Sequence, residues 1–475
     1  MFSPIKTFLF LFSCLCLLLL VSLLFDNLVK NKENFPIKML SVRSLLMENS
    51  ESTKDSVEEI IKNTTSIEQK VDSIKVSEKI ISADTLKIYR VLQPLQVDKN
   101  FVSKIEYPDG DKSILSYFAK ALKNARNKST HILYYGDSQI EEDRFSGFMR
   151  SKLQSVFGGN GCGLLPIMPV AQWIYPKITY SENWYKWDCF ADLPKKDEHY
   201  GIMAQSFLID FEKGIGKIKI KCNSNVSENC VFNKVVMYYN HATEPTKVRM
   251  YNNNELISEQ IIDISEDIHK KIFAVKNTDE IDFEIEGLES PYFYGISLEG
   301  FDNGVYVDNI ALRGSSGTYF HNIGKEVLKY FLDELNVSLI VLQFGGNVMP
   351  MIISEEDAKK YAEYIHYQLR FIKSIRPEIP ILFVGPSDMS VNIDGVMQTH
   401  PYLESVIQHL REVVLKNRCA FFDMYKAMGG RNSMPIWVQE NIAAKDYIHF
   451  SPAGARKMAA LIYYSLIKDL EEINL

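Results

Sequence analysis

What the chain lacks narrows its class. Its seven cysteines, Cys14, Cys16, Cys162, Cys189, Cys222, Cys230 and Cys419, form no C-x-x-C pair or other ligand spacing, so no metal site is implied. Positive charge is not in excess. Lys and Arg number 53 against 60 Asp and Glu, a net charge of −7, which leaves no electrostatic footprint for nucleic acid. Long apolar runs are scarce. Residues 8–25 are unbroken apart from Ser13, Cys14, Cys16 and Ser22, which allows a single membrane crossing and excludes a polytopic protein. No solenoid-type repeat recurs.

What is present is globular in character. Apolar residues at 46% and charged residues at 24% exclude a wholly disordered chain, and 475 residues suit two folded units with some non-globular length. Lys6 precedes the apolar run, no small-x-small cleavage site follows it, and Asp26 closes it. Residues 1–26 are therefore expected to be a cytoplasmic tip and an uncleaved transmembrane signal anchor, with the bulk of the chain outside the cytoplasm. Residues 27–100 are rich in Ser, Lys, Glu, Asn and Thr and read as a stalk. In an oxidising compartment Cys222 and Cys230 can close a hairpin by a disulfide; two separate thiols are equally allowed.

Beyond the stalk the periodicity changes twice. Short apolar runs at 131–135, 339–344 and 379–384 alternate with helix-period stretches at 114–125, 145–156, 355–375 and 402–417, the pattern of buried parallel strands with crossover helices. Between 196 and 300 it gives way to short alternating segments at 217–221, 234–239, 247–251, 255–262, 271–275, 281–286 and 292–298, the pattern of an antiparallel sandwich. The expected fold is α/β: a parallel sheet flanked by helices, built from residues 101–195 and 301–475, with a β-sandwich inserted at 196–300 and an N-terminal transmembrane helix.

Three polar constellations punctuate this pattern. Tyr135-Gly136-Asp137-Ser138 ends the first strand, where a serine at the start of the next helix has backbone N–H groups near a developing oxyanion. The same residues also suit a plain helix cap. Gly345-Gly346-Asn347 ends a second strand and either aims an amide at a substrate oxygen or simply turns the chain. Asp446-Tyr447-Ile448-His449 precedes a last helix at 455–470. Spaced three apart, Asp446 can fix the tautomer of His449, which can then take a proton from Ser138; a solvent-facing loop is the alternative. Glu141, Glu142 and Asp143 read as a solvated first helical turn. The glycine-rich stretch at 158–163 reads as a loop or a close backbone approach beside the site. Trp173, Trp184 and Trp187 suit core packing, or stacking on sugar rings. The eight other histidines, from His131 to His409, show no ligand spacing.

Ser, Gly, Asn and His in this order, with Asp three residues before His, resembles the SGNH (GDSL-like) hydrolase superfamily over about residues 128–195 and 303–470. The resemblance implies Ser138 as nucleophile, His449 as general base and Asp446 as its orienting acid. It implies the Ser138 and Gly314 N–H groups and the Asn347 amide as oxyanion donors, Gly314 following the run 305–312, with Gly317 the other choice. Asp137 would be structural. Gln139 stands where the family usually has leucine, Val348 where Asp is common, and Tyr447-Ile448 in place of a frequent Gly-containing pair. Gly-Asp-Ser-Gln-Ile-Glu-Glu-Asp-Arg at 136–144, with a sandwich between the serine and glycine blocks, is similar to extracytoplasmic peptidoglycan O-acetylesterases whose insertion is carbohydrate-binding-like. This implies an anchored inner-membrane protein with a periplasmic catalytic part, an O-acetylated glycan as substrate, and neither metal nor organic cofactor. Acetyl transfer to a glycan with the same residues, or glycan binding without catalysis, are the alternatives. Oligomeric state is left open.

Overall fold

In the computed structural model the described residues are 105–171, 176–190, 199–222 and 231–473. The expected membrane helix, the stalk, Trp173 and Cys230 lie outside them. Among the described residues no helix is long and apolar enough to cross a membrane.

Strands β1 (Ile105–Glu106) and β2 (Thr130–Gly136) open the described chain. Eleven short strands follow: β3 (Gly163–Leu165), β4 (Lys177–Tyr180), β5 (Trp184–Asp188), β6 (Gln205–Ile209), β7 (Gly216–Lys221), β8 (Phe232–Asn240), β9 (Thr246–Asn252), β10 (Glu255–Ile262), β11 (His269–Thr278), β12 (Glu280–Glu286) and β13 (Tyr292–Glu299). The chain then makes β14 (Val305–Ala311), β15 (Val337–Gln343), β16 (Ile381–Val384), the hairpin β17 (Ser390–Ile393) and β18 (Val396–Thr399), and β19 (Ala420–Phe422).

One sheet has the order β1-β19-β16-β15-β2-β14 and is parallel except for β1. Every residue of β2 and β15 is buried, because a parallel sheet must be covered on both faces. Successive side chains alternate between two cores. Ile132, Tyr134, Leu339, Val341, Leu382 and Val384 join the core closed by the helices Ser116–Lys123, Ser146–Phe157 and Pro452–Glu472. Leu133, Tyr135, Ile340, Leu342, Ile381 and Phe383 face the helices Lys325–Glu334, Glu355–Ile375 and Leu403–Lys416. In Glu355–Ile375 the local signals agree. Ser354 caps the first turn by accepting from Asp357 N–H, three acids sit in that turn, and Ala358, Tyr361, Ala362, Ile365, Leu369 and Ile372 form the buried stripe.

Two antiparallel sheets lie between β2 and β14 in the chain, with the orders β10-β9-β12-β7-β4 and β11-β8-β13-β6-β5, and β3 pairs with β13. The seven expected segments are β7 to β13. Strands β3 to β6 precede them, so antiparallel pairing begins before residue 196: β4 pairs with β7, and β5 with β6. These early strands are three to five residues long, and β4 buries only Ile178, too little alternation to register as a pattern. The short helices Phe320–Ile323, Met424–Met428 and Ser433–Gln439 escape periodicity for the same reason.

The glycine-rich stretch is a packing seam. Gly158, Gly159, Gly161 and Gly163 all have positive φ. A Cβ at Gly161 would lie 2.3 Å from Leu298 O, and one at Gly159 3.0 Å from Val305 N, so the loop lies directly against the backbones at the end of β13 and the start of β14. Cys162, within the loop, has its Sγ 3.9 Å from that of Cys222, and both residues are buried. Gly161→Ala should lower stability by about 2 to 4 kcal/mol, from strain at positive φ added to overpacking. Urea unfolding measures it, and a loss under about 0.5 kcal/mol would show that the seam yields.

Candidate active site

Strand register sets the site. Gly136 of β2 stands beside Ala311 of β14 and Gln343 of β15, and Gln343 beside Val384 of β16. The residues just past these ends therefore emerge together at the carboxyl edge of the sheet, where open α/β folds gather their ligands. They border a cleft of about 520 Å³ whose walls include Ser138, Arg313, Gly314, Asn347, Met389 and His449.

The serine segment turns sharply. A Cβ at Gly136 would press on Ile140 and on Gln343 O at 3.0 to 3.1 Å. Asp137 is extended and caps the following turn, its Oδ1 accepting from Gln139 N–H at 2.9 Å. Ser138 is half-buried, and its Oγ lies 2.8 Å from His449 Nε2. His449 Nδ1 is 2.8 Å from Asp446 Oδ2, while Asp446 Oδ1 accepts from Ile448 N–H at 2.9 Å and His449 N–H at 3.0 Å. Partial burial pulls the Asp446 carboxyl upward, but the hydrogen bonds from the His449 backbone and imidazole and from Ile448 outweigh it and hold the group below its ordinary value. Tyr447, inside this turn, is left-handed at φ 60°, a conformation that costs a non-glycine residue about 1 kcal/mol. Its N–H donates to Ala444 O at 3.1 Å and its carbonyl accepts from Ser390 N–H at 3.0 Å.

Asn347 stands opposite. Its Nδ2 donates to Asp137 Oδ2 at 2.9 Å and to Ser315 O at 3.1 Å. Burial pushes the Asp137 carboxyl up to about 6, against the lowering effects of the Gln139 N–H, His449 and Asn347. Of the two glycine choices, Gly314 borders the cleft at φ 80° with open space beside its Cα, whereas Gly317 packs against the Phe344 ring.

One expectation is corrected. Glu141, Glu142 and Asp143 do not form a solvated helical turn, because the backbone kinks at Glu141 (ψ 160°) and Glu142 (φ 61°) and the helix begins only at Ser146. Glu141 is buried and accepts from Arg313 Nε at 2.7 Å and Nη2 at 2.5 Å on the cleft wall. Asp143 is buried against Ser146 and Arg150. The sequence reading missed Arg313 and Arg144 as cleft residues. For Arg144 the signal was its place in the 136–144 block; Arg313 stands beside Gly314 but belonged to no constellation of its own. Trp184 is buried against Phe293 with centroids 5.5 Å apart, a packing role, and Trp187 meets the ring of Tyr185 edge-on. The glycines at 158–163 are not among the residues that border the cleft.

No family model and no curated protein matches the chain. Among solved structures it is similar to one titled "Peptidoglycan O-acetylesterase in action, 5 min", with 18% identity over 78% of this chain and 99% of the other and a TM-score of 0.58. Weaker likenesses include TesA, with 16% identity, 34% and 79% coverage and a TM-score of 0.24. A family two carbohydrate esterase from Clostridium thermocellum in complex with cellohexaose gives 10% identity, 53% and 90% coverage and a TM-score of 0.23. The first likeness shows a shared fold: the chain has an SGNH-hydrolase fold.

The raised Asp137 carboxyl has a consequence for stability. Between about pH 4 and pH 6 the folded chain keeps a proton that the unfolded chain releases, so this group's contribution is full at low pH and is lost as pH rises through about 6. Asp137→Asn removes that dependence. The stability of the variant relative to the unaltered chain should improve by up to about 3 kcal/mol from pH 4 to pH 7, read from denaturant unfolding at both pH values. A pH-independent difference would refute it.

Proposed function

We propose that this chain is an extracytoplasmic serine esterase that removes O-acetyl groups from a cell-envelope carbohydrate, peptidoglycan or another polysaccharide. The observation that carries the reading is the continuous chain Ser138 Oγ···His449 Nε2 and His449 Nδ1···Asp446 Oδ2, each link 2.8 Å, opening onto one cleft. Ser138 attacks the acetyl carbonyl while His449 Nε2 takes its hydroxyl proton. Asp446 holds the imidazole in the tautomer with hydrogen on Nδ1 and stabilises the imidazolium that forms. The tetrahedral oxyanion is received by the Ser138 and Gly314 N–H groups and the Asn347 amide. On collapse the proton passes from His449 to the departing sugar oxygen, leaving Ser138 acetylated. Water then attacks the acetyl-enzyme, giving its proton to His449, and acetate leaves as Ser138 regains the hydrogen.

Support for a glycan ester as substrate comes from the fold shared with a structure titled as a peptidoglycan O-acetylesterase. The two antiparallel sheets are read as a carbohydrate-binding-like insertion, with the exposed ring of Tyr185 beside Trp187 as a stacking surface. On this reading residues 8–25 anchor the chain in the inner membrane and the cleft lies on the periplasmic side.

Acetate release from purified O-acetylated peptidoglycan, from O-acetylated xylan and from an activated acetyl ester tests the reading. Ser138→Ala should lower release at least about 1,000-fold with the fold intact, and Asn347→Ala should cost about 100- to 1,000-fold in turnover. Undiminished release by the Ser138 variant would end the mechanism. A preference for xylan would end the assignment to peptidoglycan.

A further inference from the structure

The residue after the nucleophile reaches across to the loop that carries the base. Gln139 is buried, and its side-chain amide docks on the backbone at both neighbours of His449: Nε2 donates to Ile448 O at 2.6 Å, and Oε1 accepts from Phe450 N–H at 3.3 Å. A carboxamide used in this way copies a strand pairing, with one donor and one acceptor, and brackets a single residue. The same two loops are joined again by Arg144. It donates from Nη2 to Ser138 O at 3.1 Å, from Nε to Glu141 O at 2.8 Å and from Nη1 to Phe450 O at 3.4 Å. Gln139 is itself fixed, because its own N–H is held by the Asp137 carboxylate at 2.9 Å. The path from nucleophile to base is thus short and rigid: Ser138, the adjoining peptide, one buried side chain, and the backbone on either side of His449.

The base loop has other supports. Ala444 N–H donates to His449 O, Ser451 N–H to Ile442 O, and Ala443 pairs with Phe450. These hold the loop to its own segment and leave its position against the serine to the contacts that cross between segments. We infer that Gln139 is a positioning residue that sets the place of the His449 imidazole relative to Ser138, an inference that rests on the esterase reading above. Leucine, the common residue of the resembled family at this position, could supply the packing but neither hydrogen bond.

The test uses the full chain with 4-nitrophenyl acetate as substrate and a fluorophosphonate that labels an activated serine. Gln139→Met keeps length and burial and removes both bonds to the base loop, together with the longer one from Nε2 to Ser387 Oγ at 3.5 Å. It should lower kcat per folded molecule about 10- to 100-fold, because small misplacement of a catalytic group carries that cost. KM should stay within about twofold, and fluorophosphonate labelling of Ser138 should slow by the same factor as kcat. Gln139→Glu supplies a second readout if the methionine variant folds poorly. A protonated carboxyl can still donate to Ile448 O and an ionised one cannot, so its kcat relative to that of the unaltered chain should fall as pH rises from about 5 to 8. Wild-type kcat in Gln139→Met, a loss explained wholly by the unfolded fraction, or a flat ratio for Gln139→Glu overturns the inference. An unaltered chain that is inert and unlabelled at Ser138 overturns the esterase reading and this inference together. An active, labelled chain indifferent to both substitutions removes this inference alone.

Discussion

The parallel ladder that brings β2, β14, β15 and β16 to one height is the constraint on which the cleft depends. Each strand advances about 3.3 Å per residue and turns its side chains to opposite faces in alternation. A one-residue slip of β15 against β2 would therefore carry Asn347 about 3.3 Å along the sheet and exchange the two cores. Burial forbids the slip, because Leu339 and Val341 serve one core while Ile340 and Leu342 serve the other. Residues 138, 314 and 347 meet because the strands before them cannot be paired in another way without exposing apolar surface or breaking the ladder.

Within that frame the Asn347 amide is already committed. Its two hydrogens answer to Asp137 Oδ2 and to Ser315 O. In the proposed mechanism an oxyanion forming on the substrate would compete for one of them, and the contest would be uneven. A charged acceptor binds a donor roughly twice as strongly as a neutral carbonyl does, so on that mechanism the hydrogen now given to Ser315 would be the one to transfer, while the bond to Asp137 would keep the amide aimed. On the same reading Asp137 would act on the reaction through Asn347 and through the capped turn that presents Ser138, without touching the reacting atoms. Its burial raises the cost of its charge, which the hydrogen bonds from Gln139 and Asn347 offset in part.

Long elements were legible in the sequence because their periodicity runs over several turns. The helix at 355–375 was read to its last residue, and β2 and β15 to within a residue or two at each end. Short ones were not: β4 buries one side chain, and β19 has three residues. The residues that face the cleft stood out because Gly-Asp-Ser, Gly-Gly-Asn and Asp-x-x-His each follow or precede a recognisable element. The role of Glu141 did not, since it depends on a backbone kink at 141 and 142 that turns the acid inward toward Arg313, 172 positions away. Spacing along the chain carries no trace of such a pairing. The contacts of Gln139 are of the same kind, made to the backbone of residues 448 and 450, although its departure from the family's leucine was visible as an oddity without an explanation.

The antiparallel sheets form part of the body of the fold and share their core with one face of the parallel sheet. Tyr238 of β8 meets Phe331 of the helix Lys325–Glu334 with ring centroids 5.2 Å apart, and Tyr294 of β13 meets the same ring at 6.1 Å. Phe273 and Phe283 then join one antiparallel sheet to the other at 5.4 Å. On β7 and β12, by contrast, Lys217 pairs with Glu284, Lys219 with Asp282, and Lys221 with Glu280, a ladder of half-exposed ions. Exposed pairs of this sort add about 0 to 1 kcal/mol each, so the ladder keeps that face soluble more than it stabilises it. Sheet burial and charge therefore divide the work: the apolar faces brace the layer that holds Ser138, Asn347 and the cleft, and the charged face, on strands interior to their sheet, resists face-to-face association with other chains.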